Sequence, residues 1–124
     1  MLERFHVSKK DIVHIEEQKL RTATKEILLT QNLSEDDATR ATDALLKADL
    51  RGVESHGVSN MLRAYLGAFK SESLNPKPNW KIVKETPSCA TINSDNGLGI
   101  VVAPKAMEIA VEKAKKTGAG IVTM

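Results

Sequence analysis

In the stretch RGVESHGVSNMLRAY, residues 51–65, a serine, a histidine and a glycine stand side by side at Ser55, His56 and Gly57. An imidazole exchanges protons at physiological pH, so a histidine held against a small ligand suits general acid–base work. Gly52 and Gly57 keep the flanking backbone open to close approach. The same residues also read as a capping serine followed by a surface histidine, and spacing alone leaves both readings open.

Other patterns carry less chemistry. DNGLG, residues 95–99, follows a strand pattern and precedes a helical one, as a dinucleotide-binding turn would. Val102 stands where the third glycine of G-x-G-x-x-G belongs, so the stretch reads as a glycine-rich turn at a helix start. Its amides could still meet a phosphate. His6 and His14 have no neighbouring ligand set and nothing matches a zinc spacing, so no metal is expected. Helix-turn-helix recognition would need more cations than Arg63 and Lys70 on the third helix. A net charge of +2 and 3% aromatic residues give no footprint for nucleic acid. No apolar run approaches the roughly 18 residues that span a bilayer. The charged start MLERFHVSKKDIVHIEEQ has no signal-peptide core. With Cys89 alone, a reducing cytoplasm is the expected compartment.

The elements that must position Ser55 and His56 can be read from periodicity. Residues 8–32 predict a helix capped by Ser8, with Val13, Leu20 and Ile27 at heptad spacing, Ala23 between them and Asn32 at its end. Ser34, followed by Glu35, Asp36 and Asp37, opens a second helix, with Ala38, Ala41, Leu45 and Ala48 on one face and Gly52 as its stop. A third helix is expected over 56–70, capped by Ser55 and burying Val58, Leu62, Tyr65 and Phe69. Pro76 and Pro78 then turn SESLNPKPN into an extended linker.

Beyond the linker the period changes. WKIVKE and SCATINS alternate as strands, joined by a hairpin at Pro87–Ser88. A helix follows, with Ala103, Met107, Ala110 and Ala114 on one side and Gly118 as its stop. Lys113, Lys115 and Lys116 read as a solvated face that complements the helix dipole. AGIVTM is a last strand. The fold class is therefore α+β: a helical domain over 1–74, then β-β-α-β over 75–124, an unfinished layer whose open edge seeks a partner.

The blocks ADLRGVESHGVSNMLRAY and INSDNGLGIVVAPKAMEIAVEKAKKTGAGIV, in this order around a proline-containing linker, resemble the type-2 malate/L-lactate dehydrogenase family. Ureidoglycolate dehydrogenase, diketogulonate reductase and piperideine-carboxylate reductase are relatives in it. The resemblance runs from about residue 8 to 124. It implies an NAD- or NADP-dependent oxidoreductase acting on a 2-hydroxy or 2-keto acid such as malate or lactate. It also implies a nucleotide fold that is not the usual Rossmann sheet, and a homo-oligomer formed partly by the helical region. His56 matches the family's proton donor or acceptor, and Ser55 its relay partner. Where several members carry an arginine four residues after that histidine, this sequence has Asn60, with Arg63 one turn further on. These two are the candidate substrate-binding residues. A further motif with asparagine, histidine and glycine follows the strand matching GAGIV in the family, and Met124 comes first here. The resemblance thus implies an N-terminal fragment, with most cofactor contacts in the remaining C-terminal portion, which a separate chain could supply. The alternative is a non-catalytic helical association module, inactive on its own.

Overall fold

The structure is a computed structural model that describes residues 8–124, apart from the side chain of Lys9; His6 lies outside the described residues. The chain divides into two compact units, Met1–Ala68 and Phe69–Met124. The first holds helices α1 (Glu17–Thr30) and α2 (Glu35–Leu50) and the start of α3 (Arg63–Lys70). The second carries strands β1 (Lys81–Glu85) and β2 (Cys89–Asn93), helix α4 (Gly99–Thr117) and strand β3 (Ile121–Thr123). The α+β class and the β-β-α-β order are those expected.

Helices α1 and α2 form a helical hairpin. Asn32 turns the chain at φ 66°, and the Ser34 side chain accepts the Asp37 N–H at 3.1 Å, so the α2 cap read from sequence is present. Ala38, Ala41, Leu45 and Leu46 of α2 are buried with Leu28 and Leu33. The single helix expected over 8–32 is not formed. Lys9–Asp11 make a short 3-10 turn, where Ser8 Oγ donates to the Asp11 carboxylate at 2.5 Å, and α1 begins only at Glu17. The heptad reading fails with it. Val13 lies outside the helix and is exposed, as are Ala23 and Ile27, while the buried positions are Thr24 and Leu28. Those two stand four apart, on the stripe that faces α2.

In the second unit β2 is central, antiparallel to β1 and parallel to β3, with α4 as the crossover between β2 and β3. Ala90 and Ile92 of β2 point to the face that α4 covers, and Val101, Val102 and Ala106 are buried with them. The Ala103/Met107 face expected to pack is exposed, because the buried stripe runs one residue earlier, through Val102 and Ala106. Gly118, at φ 84°, ends α4 as the sequence suggests.

Lys113 departs from its expected place on a solvated face. It is buried, with its ammonium donating to Glu85 Oε1 at 2.9 Å and to the Thr86 carbonyl at 2.6 Å. The side chain therefore ties α4 to the β1–β2 hairpin. Lys113→Met keeps the apolar stem but leaves the Thr86 carbonyl without this donor. The expected loss of stability is about 1–3 kcal/mol, measured by urea denaturation. A Lys113→Met chain as stable as the parent would show that the contact contributes nothing.

Candidate active site

The Ser55–His56 joint is not a helix start. Glu54–His56 form a 3-10 turn, with the His56 N–H donating to the Val53 carbonyl and the Gly57 N–H to the Glu54 carbonyl. Gly57 is extended at φ −85° and ψ −174°, and Val58–Leu62 then form a π-helical turn that leads into α3. The continuous helix over 56–70 is thus replaced by three differently wound pieces, and Ser55 caps none of them. Its hydroxyl instead lies 2.9 Å from His56 Nδ1. That contact occupies one ring nitrogen and leaves Nε2 for an outside partner, on a side chain that is exposed.

The cap of the π-helical turn comes from α2. Asp49 Oδ2 accepts the Val58 N–H at 2.8 Å, across nine residues. A Cβ placed on Gly57 would lie 1.6 Å from Asp49 Oδ1, so this position has to be glycine for the carboxylate to stand where it does. Sequence reading missed this contact. Its one local signal is an acid in the last turn of a helix, where the dipole disfavours it by about 0.3–1 kcal/mol.

Of the two candidate substrate-binding residues, only Asn60 makes a contact with the same turn. Asn60 Nδ2 donates to the Glu54 carbonyl at 2.9 Å, so its amide nitrogen steadies the turn that carries His56. Arg63 is exposed at the start of α3 and has no ion-pair partner among the described residues. A guanidinium in that state can take a carboxylate through paired hydrogen bonds. A groove of about 590 Å³ is lined by Asp49 together with Val58 and Ser59 of the same segment, and walled by Ile12, Ile15, Leu20, Leu46 and Leu50. Glu17 and Glu54 also line it, and the acidic rim opposes an anionic substrate there.

The DNGLG turn does not fit a dinucleotide pyrophosphate. Asp95 and Asn96 have positive φ, and the Asp95 carboxylate accepts Asn75 Nδ2 and the Asn79 N–H, both at 2.9 Å. A Cβ on Gly97 would meet Pro78 at 2.8 Å and Val102 at 2.9 Å. The glycine therefore serves close packing of the linker on the turn, and the nearest charge to a phosphate would be a carboxylate. Among the described residues no group of three or more His, Cys, Asp or Glu side chains could hold a metal ion. No described helix is long and apolar enough to cross a membrane.

Comparison with known proteins bears on what this joint belongs to. The family model described as malate/L-lactate dehydrogenase matches residues 15–124. The chain belongs to this family. Over all 124 residues it is 41% identical to the malate dehydrogenase of Pyrococcus abyssi, covering 34% of that relative. Among solved structures, it is similar to malate dehydrogenase from Pyrococcus horikoshii OT3, with a TM-score of 0.87 and 38% identity over 98% of this chain and 34% of that one. Sulfolactate dehydrogenase from Methanocaldococcus jannaschii superposes with a TM-score of 0.83 and 41% identity, over 87% of this chain and 31% of that one. The chain spans about a third of the length of these members of the malate/L-lactate dehydrogenase family.

Proposed function

We propose that these residues form part of a nicotinamide-dependent dehydrogenase that interconverts a 2-hydroxy acid and its 2-keto acid, with His56 carrying the proton. The observation that supports the role of His56 is the 2.9 Å contact of its Nδ1 with Ser55, which leaves Nε2 to face a substrate oxygen. In the oxidising direction the substrate hydroxyl gives its proton to Nε2 while its carbon loses hydride, and a C=O bond forms. In the reducing direction His56 returns the proton. NAD or NADP would supply or accept the hydride. The Asp95 carboxylate and the packed Gly97 disfavour a pyrophosphate at the DNGLG turn, so cofactor contacts are assigned mainly to the part of the relatives that this chain does not span. Ser55 steadies the ring, and Arg63 takes the substrate carboxylate. The relatives reported above are named for malate and sulfolactate, which favours an acid bearing a second anionic group.

The test is a chimera in which residues 1–124 replace the segment they match in the Pyrococcus horikoshii malate dehydrogenase. Oxaloacetate, sulfopyruvate and pyruvate are offered with NADH or NADPH, and nicotinamide absorbance is followed. Turnover is expected, with the doubly anionic keto acids preferred. A folded chimera that binds NADH and turns over none of them would sink the proposal.

A second reading rests on a different observation. Ile12, Val13, Ile15 and Leu50, beside the groove of the first unit, are all large, apolar and exposed. Such a patch favours association, here of two copies of the chain, and that reading requires no chemistry. Sedimentation at micromolar concentration should show a dimer. A species that stays monomeric there would rule this association out.

A further inference from the structure

The segment that carries His56 is tied at both ends to the last turn of α2. At its start the Gly52 N–H donates to the Asp49 carbonyl and the Val53 N–H to the Ala48 carbonyl, both at 2.9 Å. At its end the Val58 N–H donates to the Asp49 carboxylate at 2.8 Å. One residue thus holds both ends, the first by its main chain and the second by its side chain. Between them lie the 3-10 turn and the Ser55–His56 pair. Gly57, next to His56, has no side chain where Asp49 Oδ1 stands. The arrangement leaves the His56 ring exposed on a backbone held at both ends.

We infer that Asp49 is a positioning residue for His56. Its carboxylate fixes Gly57 and Val58, and so fixes the turn on which Ser55 meets the imidazole and Nε2 faces outward. This rests on His56 being the proton carrier. The carboxylate bonds to the Val58 N–H and the ring to Ser55, so the effect of Asp49 on chemistry passes through the backbone of the turn.

Two readouts on the isotope-labelled chain test this by NMR: hydrogen exchange at the Val58 amide, and the ring nitrogen signals of His56. In the parent chain the Val58 amide should be protected and the ring should show the signature of one held tautomer. Asp49→Ala should speed Val58 exchange at least tenfold and move the ring signals to those of a free histidine. Asp49→Asn, which keeps an acceptor oxygen, should retain both signatures. Gly57→Ala keeps the carboxylate but displaces it, and should reproduce Asp49→Ala; it decides the matter if Asp49→Ala fails to fold. Unchanged ring signals in a folded Asp49→Ala chain would overturn the inference. So would Asp49→Asn behaving like Asp49→Ala. Global unfolding of both Asp49→Ala and Gly57→Ala would overturn it too, because Asp49 would then hold the unit and not the ring.

The chimera separates this inference from the one beneath it. There Asp49→Ala should lower kcat roughly ten- to hundredfold, the scale of a small misplacement of a catalytic group, without changing the KM for NADH. If His56→Ala loses turnover and Asp49→Ala does not, the inference about Asp49 alone fails. If His56→Ala keeps its turnover, the role of His56 fails, and the NMR result on Asp49 stands by itself.

Discussion

His56→Ala in the chimera is expected to lower kcat by about 10²–10⁴-fold, the usual contribution of one positioned acid–base group. That corresponds to about 3–5 kcal/mol of lost transition-state stabilisation. The substitution removes Nε2, the one ring nitrogen left after Nδ1 meets Ser55, so no group at that position can exchange the proton. Binding of NADH should be unaffected, because an exposed ring on a 3-10 turn has no part in holding the first unit together. Ser55→Ala leaves Nε2 in place but frees Nδ1, and should produce a smaller loss in the same direction. Stopped-flow absorbance for hydride transfer and fluorescence titration for NADH separate the two effects. A His56→Ala chimera with parental turnover would remove His56 from the chemistry.

The largest expected effect on stability belongs to Gly120→Ala. A Cβ there would lie 1.9 Å from the Ala110 carbonyl oxygen and 3.0 Å from the Ala114 nitrogen, both backbone atoms of α4. Neither can turn aside as the end of a side chain can. Helix α4 and the approach to β3 would have to separate, and the helix packing that buries Val102 and Ala106 would open with them. The expected cost is roughly 3–5 kcal/mol, at the upper end of what one substitution does. Gly67→Ala is the control. Its Cβ meets nothing within 4 Å, and it sits in α3, where alanine is favoured over glycine by about 0.5–1 kcal/mol. The same chemical change should therefore lower stability at one position and raise it at the other, as read by urea denaturation. Equal effects at the two sites would mean that contact with α4 does not govern Gly120.

Much of the architecture was legible in the order of residues. The Ser34 cap, the turn at Asn32, the stops at Gly52 and Gly118 and the alternation in CATIN are each set by neighbours within a few positions, whereas KIVKE forms its strand with every residue exposed. A cap or a left-handed turn is a local bond or a local backbone angle, so a short window holds all its causes. The family was legible too: its blocks read as a resemblance in the sequence, and the family model matches residues 15–124. The Ser55–His56 contact was not legible from local spacing, which made Ser55 a helix cap, and only the family resemblance implied a relay between the two.

Tertiary structure decided the rest. Whether the stripe of α4 ran through Ala103 or Val102 depended on which way β2 presented Ala90 and Ile92, and helical periodicity gives a face without saying what lies opposite. Lys113 reads as a solvent residue until Glu85 and Thr86, more than twenty-five positions earlier, come within reach of its ammonium. The third helix reads as continuous from His56, with Ser55 as its cap, until Asp49 takes the Val58 N–H and fills the space beside Gly57. In each case the deciding group is close in space and distant in sequence. Hydrogen-bond geometry and excluded volume act on separation in space, and the fold alone sets that separation.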